Sequence, residues 1–295
     1  MLSISKDIDI QKMQSHLFCQ IDVQVLRLDK IHPIVSGNKW FKLKYYLQEA
    51  IIQQKNTVAT FGGAFSNHIV ATAFACKSVG LNSIGIIRGE EPKHLSSTLQ
   101  AAKEYGMEFH FVSRANFIEK ENLKTQFEPN FYWVSEGGYG LLGMQGASEI
   151  LQEYNDDSFT HIIASCGTGT MLAGLVNTAM PHQKVLGICA LKGYENIHHS
   201  IQQILPANKQ LPDFSILHNY HFGGYAKHPS PLIEWMNALW QAEQLPTDIV
   251  YTSKLMYAVK ELCKNQYFSS TDKVLIIHSG GLQGNLSLPK HTLRF

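Results

Sequence analysis

The sequence of 295 residues predicts an α/β fold in which parallel strands lie between layers of helices. Short apolar runs rich in β-branched residues alternate with longer segments of helical periodicity, which is typical of strand-helix-strand units. Such short apolar runs are expected where both faces of a parallel sheet are covered. Hydrophobic residues make up 44% of the chain and charged residues 17%, which is an ordinary globular composition and excludes general disorder.

Eight strands and six helices follow from these patterns, taken in chain order. The predicted strands are the apolar runs at residues 23–28, 57–61, 83–88, 108–112, 132–135, 161–165, 184–190 and 273–278. The predicted helices are the periodic segments at residues 39–53, 67–79, 95–105, 142–154, 170–179 and 254–264.

The order of these elements indicates two units. Four of the strands lie between about residues 46 and 150, and the other four flank this block. Four parallel strands with their helices are enough to form a small sheet. We therefore predict two open, twisted, mostly parallel sheets, with a smaller α/β domain (46–150) inserted into a larger domain (1–45 and 151–295).

Charge and composition argue against several classes of function. The chain has 25 Lys and Arg against 24 Asp and Glu, so a net charge of +1 provides no field for binding nucleic acid or an anionic membrane. No apolar run approaches the roughly 20 residues of a spanning helix, and the first 13 residues are polar. We expect a cytoplasmic protein. The five cysteines have no Cys-x-x-Cys spacing and the 14 histidines no His-Glu-x-x-His motif, so we expect no metal site.

The turn after the strand at 161–165 is a candidate anion site. Ligands of open parallel sheets bind beyond the carboxyl ends of the strands. Here Cys166, Gly167, Thr168, Gly169 and Thr170 lead directly into a helix. Glycines let backbone N–H groups surround an anion at the positive end of the helix dipole, and a phosphate would suit this arrangement. A plain strand-helix turn without a ligand is the equal alternative.

Two further turns carry polar side chains beyond strand ends. Ser66 and Asn67 follow a glycine pair and begin a helix, where a hydroxyl and free N–H groups could bind a carboxylate. Simple helix capping is the alternative for both residues. Ser279 follows the most apolar strand of the chain and precedes another glycine pair.

Lys39 is the candidate nucleophile. It lies at a helix start marked by Gly37 and Asn38 and is followed by two aromatic residues. A lysine in apolar surroundings or near other cations has a lowered pKa and becomes a usable amine. Lys42, three residues later, would share its helix face, so either lysine could be the reactive one. A solvated surface lysine is the alternative.

These motifs, in this order, resemble one enzyme family. The resemblance rests on Ser-Gly-Asn-Lys39-Trp-Phe-Lys42, Gly62-Gly63-Ala-Phe-Ser66-Asn67-His68, Glu136-Gly137-Gly138, Gly167-Thr-Gly-Thr170, Val250-Tyr251-Thr252-Ser-Lys254 and His278-Ser279-Gly280-Gly281. They are similar to the pyridoxal-phosphate enzymes that include 1-aminocyclopropane-1-carboxylate deaminase and D-cysteine desulfhydrase. That resemblance implies the tryptophan-synthase-β-like fold, pyridoxal 5'-phosphate as cofactor and a homodimer.

The resemblance also implies roles for individual residues. Lys39 would bind the cofactor as a Schiff base and later move the α-proton of the substrate. The turn from Cys166 to Thr170 would hold the cofactor phosphate. Asn67 would lie beside the ring oxygen of the cofactor, and Ser66 would meet the substrate carboxylate. His68 stands where the family commonly has glutamine, so it is expected to contact the substrate with Ser66 and Asn67.

Four more positions match the family, and two of them separate its members. Tyr251 and Tyr225 match two active-site tyrosines, the second on spacing and a short glycine context. Thr252 and Ser279 stand where the cyclopropane deaminase has glutamate and leucine, and hydroxyl residues there are the desulfhydrase pattern. The resemblance thus implies a lyase that converts D-cysteine to pyruvate, hydrogen sulfide and ammonia. The alternatives are cyclopropane deamination and, in another class, a non-catalytic nucleotide- or phosphate-binding protein.

Overall fold

The computed structural model describes residues 8–14, 16–127 and 130–295, and the chain within them forms two sheets. The larger sheet has the order β1-β2-β10-β7-β8-β9, in which only the β1–β2 pair is antiparallel. The smaller sheet has the order β5-β4-β3-β6 and is entirely parallel. The strands are β1 (Ile10–Lys12), β2 (Asp22–Leu26), β3 (Thr57–Gly63), β4 (Asn82–Arg88), β5 (Met107–Val112), β6 (Phe131–Val134), β7 (His161–Cys166), β8 (Lys184–Cys189), β9 (Phe214–Leu217) and β10 (Lys273–Ile277).

Helices cover the sheets. They are α1 (Asn38–Ile52), α2 (Asn67–Ser78), α3 (Ser97–Glu104), α4 (Lys120–Lys124), α5 (Leu141–Tyr154), α6 (Thr170–Thr178), α7 (Ile197–Gln202), α8 (Ser230–Glu243) and α9 (Thr252–Lys264). In the part of the chain that the structure describes, none is long and apolar enough to cross a membrane.

The predicted α/β class and the two-sheet arrangement are confirmed, and the eight predicted strands and six predicted helices are all present. The four strands of the smaller sheet all fall within residues 46–150. One apolar core joins residues of both proposed domains, so the exact domain boundaries stay a prediction.

Within the residues that the structure describes, the sequence patterns missed two strands and three α-helices. β1 and β9 are three and four residues long and lie at the edges of the larger sheet, where an apolar run is not required. α4 and α7 have only five and six residues, too few for a clear helical period. α8 has 14 residues, but no strand separates it from α9, so it interrupts the alternation on which the prediction depended.

Helix α5 packs between α1 and α6 through two close contacts. A Cβ atom at Gly146 of α5 would lie 2.0 Å from the carbonyl oxygen of Phe41 in α1. A Cβ atom at Gly174 of α6 would lie 2.5 Å from the Cβ of Ala147 in α5. Larger residues would force these helices apart. Since α1 carries the candidate lysines and α6 begins at the candidate anion turn, this packing sets the position of one relative to the other.

Candidate active site

A cavity of about 500 Å³ opens where strands of both sheets end. Its wall includes residues at or just beyond the carboxyl ends of β3, β4, β6, β7 and β10, as expected for a ligand site of open parallel sheets. The predicted site residues that line it are Lys39, Ser66, Asn67, His68, Cys166, Gly167, Thr168, Gly169, Tyr225, Tyr251 and Ser279. Thr170 and Thr252 are fully buried outside this wall.

Lys39 and Lys42 of α1 both face the cavity, so the prediction that they share a helix face is confirmed. The Nζ atoms of Lys39 and Lys42 lie 3.5 and 3.3 Å from the carbonyl oxygen of Gly137. Burial lowers the pKa of Lys39 to about 8. Burial, and then the charge of Lys39, holds the pKa of Lys42 well below its ordinary value. Among the described residues no carboxylate lies within salt-bridge distance of either amine, so neither amine is part of an ion pair.

The start of α1 is seated directly on the segment that follows β10. Gly37 has a φ of +63°, and a Cβ atom there would lie 1.8 Å from the carbonyl oxygen of Ser279. The backbone N–H of Asn38 donates to the same oxygen at 3.3 Å. Only glycine fits this contact, because the conformation is left-handed and the space is filled by backbone. The motif thereby seats the start of α1, directly before Lys39, against the backbone of Ser279.

The candidate anion turn has the form that the sequence predicts. Gly169 has a φ of +85° and occupies the N-cap of α6 without a side-chain capping bond. No acidic residue lies in the first turn of α6, so its leading N–H groups are open to an outside anion. The Thr168 hydroxyl lies 3.1 Å from that of Thr170. Cys166 ends the strand, and burial raises the pKa of its thiol, which stays neutral.

The N-terminus of α2 meets the same cavity. Ser66 occupies the N-cap with an extended backbone, but its hydroxyl makes no capping hydrogen bond, so capping does not account for it. Asn67 Nδ2 donates to the carbonyl oxygen of Gly281 at 3.2 Å. The Oδ1 atom of Asn67 is buried and has no partner. Because buried polar atoms are nearly always hydrogen-bonded, this atom points to a ligand.

His68 is a neutral imidazole at the back of the cavity. The Thr60 hydroxyl donates to the carbonyl oxygen of Val134, so it must accept from His68 Nε2, which lies 2.8 Å away. The proton is therefore on Nε2, and the bare Nδ1 is buried without a partner. Burial, then the charges of Lys39 and Lys42, hold the pKa of His68 well below its ordinary value. A contact between His68 and substrate stays a prediction.

The two predicted tyrosines lie together. The rings of Tyr225 and Tyr251 are 6.2 Å apart and meet edge to face at 75°. Tyr251 packs on Gly167, where a Cβ atom would lie 3.1 Å from its ring and hydroxyl. Burial raises the pKa of Tyr225 and raises that of Tyr251 well above its ordinary value, so both hydroxyls are protonated at neutral pH.

Thr252 is completely buried outside the wall of the cavity, so its contact with the cofactor stays a prediction. Its hydroxyl donates to Asp248 Oδ1 at 2.7 Å and accepts from the Asp248 N–H at 2.7 Å. These two hydrogen bonds join Asp248 to Thr252, the first residue of α9. Ser279, in contrast, lines the cavity with its hydroxyl 3.2 Å from that of Ser165. Of the two hydroxyl residues predicted to contact the cofactor, Ser279 lines the cavity and Thr252 does not.

Some lining residues were not given a role from the sequence. Ser165, Arg88 and Glu136 all contribute to the wall. Each lies at or just beyond the carboxyl end of a strand, which is the signal that could have found them. Arg88 is exposed at the mouth, and Glu136 pairs with Lys120 at 2.6 Å.

Comparison with known proteins decides the family. A family model described as "Pyridoxal-phosphate dependent enzyme" matches residues 15–280. The chain belongs to this family. Pyridoxal phosphate is therefore its cofactor, and the chain is an enzyme.

Members of this pyridoxal-phosphate family include named relatives of the chain. A mitochondrial bifunctional D-cysteine desulfhydrase/1-aminocyclopropane-1-carboxylate deaminase from Arabidopsis thaliana is 29% identical, over 85% of this chain and 70% of the relative. A D-cysteine desulfhydrase from Yersinia pestis is 23% identical, over 87% and 86%. A solved structure of an ACC deaminase homologue superposes with a TM-score of 0.81 at 24% identity, over 95% and 90%, which shows the shared fold.

The residues present fit pyridoxal phosphate. The open N-terminus of α6 and the Lys42 amine suit a phosphate dianion, because Lys42 Nζ lies 3.3 Å from the carbonyl oxygen of Gly137, which packs against Thr168 of that turn. Asn67 has a buried oxygen without a partner and a second amide proton for a ring substituent. Lys39 is the half-buried amine with an accessible neutral form.

Proposed function

We propose that this enzyme is a lyase for small amino acids that carry a leaving group on Cβ, with D-cysteine as the first candidate. D-cysteine and water would give pyruvate, hydrogen sulfide and ammonia. The observation that carries the proposal is the placement of Lys39, an amine with a pKa of about 8 in a cavity that also contains an open anion cradle and a free serine hydroxyl. We choose D-cysteine as the first candidate substrate because the Arabidopsis and Yersinia relatives are both named D-cysteine desulfhydrase.

Lys39 would first supply an amine and then move a proton. When bound, the cofactor supplies an aldehyde that bonds amines and a ring that accepts the electron pair of the substrate Cα. With a pKa of about 8, roughly a tenth of Lys39 is neutral at pH 7. The neutral Nζ can attack a carbonyl carbon, and after exchange with substrate it can take the proton from Cα.

The rim of the cavity would orient the substrate. The free hydroxyl of Ser66 and the leading N–H groups of α2 can bind the substrate carboxylate. Both tyrosine hydroxyls keep their protons at neutral pH, so Tyr251 and Tyr225 can donate to the group that leaves Cβ.

Ser279 favours β-elimination over opening of a cyclopropane ring. A carboxylate beside the ring nitrogen would keep it protonated and strengthen the electron sink, whereas a hydroxyl can only hydrogen-bond a largely neutral ring. The weaker sink suits departure of a good leaving group such as thiolate. Cyclopropane deamination is the second candidate because the name of the Arabidopsis relative includes that activity.

A substrate panel with product identification tests the proposal. The cofactor-loaded enzyme is given D-cysteine, L-cysteine, D-serine, β-chloro-D-alanine and 1-aminocyclopropane-1-carboxylate. We expect pyruvate and ammonia from D-cysteine and from β-chloro-D-alanine. Formation of 2-oxobutyrate from the cyclopropane amino acid alone would favour the second candidate, and absence of pyruvate from every β-substituted substrate would overturn the first.

Lys39→Ala and Lys42→Ala provide the controls. We expect a yellow wild-type protein whose visible band is abolished by borohydride. Lys39→Ala should lose the band and at least about 10³-fold in turnover. If Lys42→Ala loses the band instead, the reactive lysine is Lys42. A colourless protein that takes up no cofactor would favour the phosphate- or nucleotide-binding alternative.

We also propose that the enzyme is a cytoplasmic homodimer. The proposal rests on the family resemblance and on the expectation from the sequence. Light scattering of the purified protein and fractionation of the source cells test the two statements separately.

A further inference from the structure

The loop that carries Tyr225 has an unusual backbone. Phe222 and Ala226 have φ values of 51° and 54°, and Gly223 and Gly224 have values of 92° and 119°. Non-glycine residues rarely adopt positive φ, and each such residue costs free energy that the surrounding structure must offset. Something must therefore hold this loop in place, although the Tyr225 side chain itself is 43% exposed.

A buried lysine makes that contact. Lys254, in the first turn of α9, is completely buried, and its Nζ donates to the carbonyl oxygen of Gly224 at 2.7 Å. Burial lowers the pKa of Lys254 to about 8, although the nearby Asp248 and Cys189 act to raise it. Burying an amine is costly unless it is well hydrogen-bonded. The bond joins the residue directly before Tyr225 to α9.

The same turn of α9 holds the other tyrosine. The carboxylate of Asp248 accepts backbone N–H bonds from Val250, Tyr251 and Thr252 at 2.8, 3.0 and 2.8 Å. Tyr251 is thus fixed by Asp248, and Tyr225 is fixed by Lys254 through Gly224. One helix N-terminus therefore sets the edge-to-face pair that borders the cavity.

We propose that Lys254 is a positioning residue that keeps Tyr225 against Tyr251 by anchoring the carbonyl group of Gly224. The inference rests on the proposed function, in which Tyr225 meets the substrate. Lys254 does not line the cavity, so it acts through the loop and not through direct contact with substrate.

A double-mutant cycle in the cofactor-loaded enzyme tests this role. Lys254→Met removes the donor while keeping an unbranched side chain, and Tyr225→Phe removes the hydroxyl that the loop presents. We expect each single variant to lower kcat/KM with the best β-substituted substrate about tenfold. The double variant should be no more than about twofold worse than Tyr225→Phe, because both changes remove the same contribution.

The matched control is Lys77→Met. Lys77 also donates from Nζ to a backbone carbonyl, that of Glu104 at 3.2 Å, but it lies on the exposed side of α2. Lys77→Met should change kcat/KM by no more than twofold relative to the wild type. A second readout is independent of activity: trypsin should cleave after Lys227, at the end of the loop, faster in Lys254→Met than in the wild type or the control.

The outcomes separate this inference from the proposed function. Additive losses in the cycle, or unchanged kcat/KM and unchanged cleavage in Lys254→Met, overturn the role of Lys254. A Tyr225→Phe variant with full activity overturns the role of Tyr225 and the inference with it. A wild type without activity on any substrate overturns the proposed function, and the cleavage rate then still decides whether Lys254 anchors the loop.

A second variant covers the case in which Lys254→Met does not fold. Gly224→Ala leaves the lysine intact but disturbs its acceptor, because the residue has a positive φ and a Cβ atom there would lie 3.3 Å from Lys192 Cβ. We expect the same loss of kcat/KM and the same lack of additivity with Tyr225→Phe. Full activity of Gly224→Ala would contradict the proposal.

Discussion

The helices α2 and α6 both begin at the cavity, and their N-termini differ. α6 starts after Gly169 in the left-handed conformation, with no capping side chain, and its turn lies near the Lys42 amine. α2 starts after Ser66, whose hydroxyl is free, and Asn67 ties that helix to Gly281. Both N-termini thus meet one cavity, but the α6 end offers a glycine-bearing backbone turn, whereas the α2 end offers a side-chain hydroxyl.

This difference indicates two kinds of anion. A backbone cradle with a lysine amine suits a phosphate that stays bound through many turnovers. A single hydroxyl at a helix end suits a carboxylate that must leave after each turnover, because a weaker site releases its ligand faster. We therefore expect changes on the α6 side to affect cofactor retention and changes on the α2 side to affect substrate binding.

The first prediction concerns Lys39, which lines the cavity between the α6 side and the α2 side. The rate at which apoprotein takes up pyridoxal phosphate should rise about tenfold per pH unit from pH 6 and level off above pH 8, about a hundredfold in all. The rate rises with pH because only the neutral amine attacks. Since the pKa of Lys39 is lowered from 10.5 to about 8, the neutral form predominates above pH 8 instead of above pH 10.5. Stopped-flow absorbance measures the rate, and N-acetyl-lysine methylamide is the control for titration of the cofactor itself. A rate that keeps rising tenfold per unit to pH 10 would contradict it.

The second prediction concerns the α6 side. Lys42→Met should weaken cofactor affinity about 10- to 100-fold, the size expected for loss of a charge-assisted hydrogen bond. Burial and the charge of Lys39 hold the Lys42 pKa low, so the negative charge of a bound phosphate should raise this pKa and convert the amine to the ammonium form. Equilibrium dialysis measures the affinity. Lys44→Met is the control, because Lys44 lies on the same helix but pairs with Glu149.

The third prediction concerns the α2 side. Ser66→Ala should raise KM about tenfold, equivalent to one hydrogen bond of about 1.4 kcal/mol, and leave cofactor affinity within twofold. Ser78→Ala, at the other end of the same helix, should leave both quantities unchanged. A Ser66→Ala variant that loses cofactor but keeps KM would reverse the assignment of the two sides.

The features that the sequence predicted well are those set by local spacing. Strand-end turns, the shared face of Lys39 and Lys42, and the open start of α6 depend on residues close in the chain and on the periods of strands and helices. Even so, the reason Gly37 is needed lies 242 residues away at the Ser279 carbonyl, and no local pattern contains it.

Contacts between distant residues account for what the sequence did not predict. Thr252 directly follows Tyr251, so the motif alone does not show that its hydroxyl faces Asp248 and not the cavity. The motif alone does not show the contact of Lys254 either, because its acceptor is the carbonyl oxygen of Gly224, which lies 30 residues earlier in the chain. Which way a side chain points in the first turn of a helix is decided by packing, which a linear pattern does not specify.

The last and smallest prediction tests whether Thr252 acts on stability or on the cofactor. Thr252→Val should lower the free energy of unfolding by about 1–2 kcal/mol, because the buried Asp248 carboxylate loses one donor, and should leave kcat/KM within threefold. Ser279→Ala should do the opposite, changing kcat/KM severalfold with little change in stability, because its hydroxyl reaches the cavity. Urea unfolding and steady-state kinetics on both variants give the two quantities. If Thr252→Val shifts the visible absorption of the bound cofactor and Ser279→Ala does not, Thr252 contacts the ring after all, and the hydrogen bonds to Asp248 do not hold in the loaded enzyme.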